Sequence, residues 1–140
     1  MSDFFAELHA DSGSAARTGL LRLPHGEVHT PAFMPVGTCA TVKALTKDDL
    51  AEIGFELILA NAYHLYLRPG AAVIEEAGGL HGFSGWRRNF LTDSGGYQVF
   101  SLAPFCKITA EGVAFKSHID GSAHFLTPEA VAELQKRFNS

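Results

Sequence analysis

Cysteine is scarce in this chain, with two among 140 residues, Cys39 and Cys106. Two thiols cannot supply a four-thiolate zinc site, and these two do not form a C-x-x-C pair. Two reduced thiols are expected. Long apolar runs are missing too, so no segment reads as a bilayer span. The opening MSDFFAELHADSG carries acids early and lacks the basic start of a secretory signal. A cytoplasmic protein with no membrane partner is the expectation. Positive charge is also short. The net charge is −4, which argues against a free-standing, non-specific nucleic-acid binder, since such a protein normally shows a basic face. There is no internal repeat, linker or low-complexity tract.

What is present is the material of a globular domain. Apolar residues make up 46% and charged residues 19%, a balance that supports a buried core. Phe4 to Ala10 and Gly19 to Leu23 read as two strands around the turn Asp11 to Ser14. Residues 24–27, PHGE, read as a second turn. Ala32 to Gly37 is a short apolar run with prolines at 31 and 35, better suited to a buried or edge strand than to a helix. Thr46 is placed to cap a helix over Lys47 to Ile53, with Asp49 completing a capping box and Gly54 ending it. Leu57 to Ala60 is apolar throughout, as in a strand covered on both faces. Ala71 to Ala77 reads as a helix closed by Gly78 and Gly79, and Phe90 to Thr92 as the next strand. Lys107 to Leu126 alternates like hairpins turning at Glu111-Gly112 and Asp120-Gly121. Thr127 caps a last helix toward Phe138, with Pro128 at its first position. Val131, Leu134 and Phe138 form one stripe on it.

This order suggests consecutive β/α units. A closed eight-fold barrel takes about 250 residues. The expectation is therefore α/β, the N-terminal half of a (β/α)8 TIM barrel with β-hairpin insertions, with residues 1–140 as one partial barrel domain. A small open α/β sheet, complete in itself, is the alternative.

Four stretches are candidates for chemistry. His25 and His29 stand four apart with a glutamate between, but Pro24 and Gly26 oppose the helix that a zinc-binding pair of this kind needs, so a surface turn is expected. Trp86-Arg87-Arg88 could stack on and neutralise a nucleic acid, or form a solvated surface; Lys43, just after the glycine-threonine turn at 37 and 38, could meet a phosphate or be a solvated lysine. Asn61-Ala62-Tyr63-His64 leaves the carboxyl end of a buried strand, where α/β folds bind ligands, or is an ordinary strand-to-helix connection. Asp93, Ser94, Gly95, Gly96 and Tyr97 follow the strand at 90–92. They combine an acid, a bare backbone that a ligand can approach and a flat ring, a set suited to a heterocyclic base. A helix N-cap with a glycine turn explains the same residues.

The stretches TPAFMPVGTCATVKALT (30–46), LANAYHLYLRPG (59–70), FLTDSGGYQVFSL (90–102) and SHIDGSAHFLTPE (117–129) together closely resemble the tRNA-guanine transglycosylases, or queuine tRNA-ribosyltransferases, of bacterial type. The resemblance implies a (β/α)8 barrel with a zinc-binding subdomain near the C-terminus of the full-length family. It implies exchange of the guanine at the tRNA anticodon wobble position for a 7-deazaguanine, the preQ1 base. Retaining the ribose anomer calls for two displacements and a covalent ribosyl-enzyme intermediate. Asp93 would be the proton acceptor near the base, with the nucleophilic aspartate much further along. Tyr97 would stack on the base, with Ser94, Gly95 and Gly96 shaping the pocket. Val36, Leu59 and Asn61 match positions that touch tRNA. No cofactor is expected in these residues; zinc would be held by three cysteines and a histidine that lie outside them. The resemblance also allows a homodimer of the full-length enzyme. Two functions follow: part of a pentosyltransferase, inactive alone, or a non-catalytic fragment or subunit binding a base, tRNA or a partner. An intact DSGGY stretch favours the first.

Overall fold

The computed structural model describes residues 4–103 and 105–140. The chain begins with an antiparallel sheet of β1 (Phe5–Ala10), β2 (Arg17–Leu23) and β3 (Gly26–Thr30), in that order. β3 corrects the expectation of a turn over 24–27. The loop is only Pro24-His25, because Leu23 already faces Gly26 in the ladder. Gly26 sits at φ 120, where a side chain would be strained. The signal for β3 is short: Val28 is fully buried between exposed Glu27 and His29.

The segment at 32–37 forms less ladder than expected. It contributes one parallel bridge, Val36 to Leu59. Gly37 N donates to Leu59 O at 2.7 Å and Leu59 N to Pro35 O at 3.0 Å. Pro31 and Pro35 have no N–H to extend it. Beside this bridge runs β4 (Leu57–Ala60), paired in parallel with β5 (Asn89–Thr92), with Leu59 opposite Leu91. Ile58, Ala60 and Phe90 are buried on one face; on the other, the row Val36, Leu59 and Leu91 is partly open.

Helices follow these strands. α1 (Lys47–Ile53) has the expected capping box: Thr46 Oγ1 accepts from Asp49 N, and Asp49 Oδ2 accepts from Thr46 N. Gly54 ends it in the left-handed region. After β4 comes α2 (Ala62–Leu67), then α3 (Ala71–Glu76) and α4 (Gly79–Ser84). Gly78 and Gly79 close α3 as expected, but they also open α4, a helix that its own glycines conceal in the sequence. Gly79 has a second use: a Cβ there would lie 2.8 Å from Phe138 O, so its bareness lets the last helix approach.

α5 (Gly96–Leu102) follows β5. A three-stranded antiparallel sheet then forms from β6 (Cys106–Ile108), β7 (Val113–Lys116) and β8 (Ala123–Leu126), turning where the two glycines predict. α6 (Pro128–Phe138) begins at Thr127, whose hydroxyl accepts from Ala130 N. It packs on α3 and α4, with Phe138 fully buried and Leu134 nearly so. The architecture is thus alternating β/α with parallel and antiparallel sheets, and the described strands do not close into a barrel. Among the described residues no helix is long and apolar enough to cross a membrane.

The stripe on α6 is uneven, since Val131 is only partly buried. Phe138→Ala is expected to cost about 3–5 kcal/mol and Val131→Ala about 1 kcal/mol. Urea unfolding of the two variants measures this. Equal losses would mean that α6 docks differently.

Candidate functional site

Asp93 lies just past the carboxyl end of β5, in the register position beside Asn61 at the end of β4. Three donors fix its carboxylate. Asn61 Nδ2 donates to Oδ2 at 2.7 Å, Ala62 N to Oδ1 at 2.8 Å, and Gly95 N to Oδ1 at 3.1 Å. The acid therefore ties the β4–α2 turn to the β5–α5 turn. Its backbone is held as well: Asp93 N donates to Ala60 O, and Asp93 O accepts from Gln135 Nε2 on α6.

The glycines after Asp93 differ from one another. Gly95 is the N-cap of α5 at φ 75, and a Cβ there would come within 3.0 Å of Tyr63 N. Gly96 meets only Ser94 Oγ at 3.4 Å. The glycine turn expected at this stretch starts α5, and the acid and an exposed ring flank it. Tyr97 is 76% exposed.

The residues singled out in the sequence fall into two groups. Val36, Leu59, Asn61 and Asp93 come together at one end of the parallel strands, with Asn61 N also donating to Thr38 O at 3.4 Å. Ser94 and Gly96 instead border a largely apolar cavity of about 450 Å³ between α5, β6–β8 and α6, which neither Asp93 nor Tyr97 lines. Elsewhere, His25 stacks on His81 and His29 pairs with Glu56, so the two do not converge on a common centre. Lys43 is exposed. Trp86 is buried, its Nε1 donating to Asn89 O, and is unavailable for stacking on a nucleic acid.

Sequence reasoning singled out Tyr63 and His64 but missed the aromatic and imidazole cluster that they form with His118. Tyr63 is buried and its hydroxyl meets His118 Nδ1 at 2.8 Å. His64 stands edge-on to both rings. One turn on, the Tyr66 hydroxyl meets His124 Nδ1, whose Nε2 meets Ser122 Oγ, which donates to Asp120. The Ser122 hydroxyl brings Asp120 down to about 2. These links pin the β7–β8 hairpin to α2. The sequence signal was the placement of Tyr63 and His64 after a buried strand; the pairing of Tyr63 with His118 and of Tyr66 with His124 needs the fold. Burial holds His64 below the ordinary imidazole range, helped by His118 and opposed by Asp93. Burial pushes the Tyr63 phenol up.

As to metals, the donor set does not fit one. Among the described residues no three His, Cys, Asp or Glu side chains converge, and Cys39 and Cys106 are free and exposed. Zinc has no holder in these residues.

The site is thus a carboxylate fixed at the carboxyl ends of parallel strands, beside a glycine turn and an exposed aromatic ring, at the end of the strands where α/β folds generally bind ligands. The family model for queuine tRNA-ribosyltransferase matches residues 11–140, and the chain belongs to that family. It is 70% identical over 138 residues to the queuine tRNA-ribosyltransferase of Treponema denticola, covering 99% of this chain and 36% of that protein. It is 61% identical over 130 residues to the one from Caldanaerobacter subterraneus subsp. tengcongensis, covering 93% and 35%. The Pelotomaculum thermopropionicum protein is 56% identical over 140 residues, covering 100% and 38%. The chain thus spans a little over a third of the length of the curated relatives it matches.

Two expectations follow. Gly95→Ala combines a left-handed backbone with a close approach to α2, and should cost about 1–3 kcal/mol in urea unfolding. Gly96→Ala should stay within about 0.5 kcal/mol; equal effects would contradict the packing of Gly95 on Tyr63. The second concerns pH. His64 and His81 are both held below the ordinary imidazole value, chiefly by burial. The unfolded chain then binds the extra protons first, so stability is full above about pH 6.5 and falls as pH drops through that value. The urea midpoint should be lower at pH 5.5 than at pH 7.5. A higher midpoint in acid would contradict neutral, half-buried rings.

Proposed function

We propose that these residues supply the base- and RNA-binding part of an enzyme that exchanges the wobble guanine of tRNA for a 7-deazaguanine such as preQ1. By themselves they bind and do not catalyse. The observation that carries the reading is the fixed carboxylate of Asp93, held by Asn61, Ala62 and Gly95 at the end of paired parallel strands. In an eight-fold barrel that end is the catalytic face. The open row Val36, Leu59 and Leu91 suits the interior of such a barrel, of which this chain would be the N-terminal half.

In this reading Asp93 accepts a proton at the base and Tyr97 stacks on it, while Ser94, Gly95 and Gly96 shape its surroundings. Val36, Leu59 and Asn61 touch the neighbouring nucleotides. Exchange with retention at the ribose uses two displacements, so it also needs a carboxylate nucleophile. One acid cannot both attack the ribose carbon and carry protons for the bases. The nucleophile and the zinc ligands would come from the remaining two thirds of the length seen in the relatives.

The test joins this chain to the remaining segment of the Treponema denticola relative and follows labelled guanine incorporation into tRNA. The fused protein should exchange guanine, and the 140-residue chain alone should not. Asp93→Asn in the fused protein should abolish exchange at a temperature where circular dichroism shows it still folded, although losing the bond from Asn61 lowers its unfolding midpoint; near-normal exchange would refute the assignment. Tyr97→Ala should weaken binding of the base by about 1–3 kcal/mol, and Tyr97→Phe should be mild, because stacking uses the ring.

A further inference from the structure

The base site does not use the basic loop ahead of β5. Lys47, Asp48, Ala51, Gly85, Trp86, Arg87 and Arg88 surround a cavity of about 400 Å³. Three cations thus line one cavity in a chain of net charge −4. The acid beside them, Asp48, is paired to Lys47 at 3.1 Å and is largely exposed. The Glu56 carboxylate feels Arg88 but is engaged by His29, through its N–H at 2.7 Å and its ring at 3.0 Å.

The loop is held rigidly. Trp86 is buried, its N–H bonded to Ser84 Oγ and its indole N–H to Asn89 O. Arg88 Nη1 donates to Phe55 O at 2.7 Å, which fixes that guanidinium. Gly85 lies in the left-handed region, and its missing side chain leaves room for the Lys47 stem. Arg87 is exposed and makes no ion pair or hydrogen bond among the described residues. One guanidinium anchored on Phe55 O, a second without a partner among the described residues, and an ammonium line one hollow, and donors of this kind suit the oxygens of a phosphate.

We propose that this cavity is a phosphate-binding site. It lies at the amino end of β5, so roughly 16 Å of extended chain separates Arg88 from Asp93. It is distinct from the base site and does not depend on the function proposed for it. The buried indole offers no open face for a base, so recognition is of the phosphate group and not of a nucleobase. The phosphate is either free or carried on an RNA backbone.

Trp86 is the one tryptophan of the chain and lines the cavity, so its fluorescence reports occupancy. The experiment titrates the 140-residue chain at constant ionic strength, with inorganic phosphate in one arm and a short single-stranded oligoribonucleotide in the other. A saturable change in emission is expected, weakened about tenfold or more in Arg87→Gln. Arg87 is exposed and unpartnered, so that variant should fold, whereas Arg88→Gln also loses the bond to Phe55 O. A response to phosphate alone identifies a free-phosphate site; a tighter response to the oligoribonucleotide, displaced by phosphate, identifies a backbone site. Tyr97→Ala, at an exposed ring of the base site, should titrate like the parent, which separates this site from the base site. No saturable response to either probe, or an unchanged response in Arg87→Gln, overturns the proposal.

Discussion

Three hydrogen bonds to one carboxylate organise this structure. Asp93 is where the β4–α2 and β5–α5 turns meet, and its two oxygens take one donor from Asn61, one from Ala62 and one from Gly95. Charge-assisted bonds of this kind are short and directional. Remove the acid and the first turn of α2 loses an acceptor, Asn61 loses its orientation, and the glycine turn loses its closing bond. The same contact gives the site its geometry, because the carboxylate that joins the two β/α units stands at their open ends.

The surroundings accommodate that contact. Gly95 is bare because α2 passes over it, with Tyr63 at the point of approach. Tyr63 and Tyr66 extend from α2 to His118 and His124, so the inserted hairpins brace the helix from the far side. α6 closes the arrangement by burying Phe138 against α3 and α4 and by sending Gln135 to Asp93 O. Elements distant in sequence thus converge on one acid, and the order from helix packing to carboxylate orientation is continuous.

Charge is distributed unevenly. A net charge of −4 describes the chain as a whole, but the field at a surface depends on which groups face it. Lys47, Arg87 and Arg88 gather at one hollow near the amino end of β5, while the carboxyl end of the same strand carries the fixed acid. The two ends of one short strand therefore offer opposite chemistry to an approaching ligand.

The sequence by itself determined the local features whose causes are local. The Thr46–Asp49 capping box, the Gly54 stop, the Thr127 cap, the hairpin turns at the two glycines and the strand Leu57–Ala60 all depend on neighbours a few residues away, and all were legible, although the cover expected on both faces of that strand is incomplete at Leu59. Family membership was legible too, because four motifs stand in order along the chain. β3 was hidden by a two-residue loop of unusual composition, and α4 by glycines that read as a stop. The segment at 32–37 reads as a strand, yet its prolines leave it one bridge. Only the tertiary structure decided which polar groups meet: Asn61 with Asp93, Tyr63 with His118, and the basic loop around its cavity. Those partners lie tens of residues apart, and periodicity and capping act over a turn or two, so nothing in the local pattern could specify them.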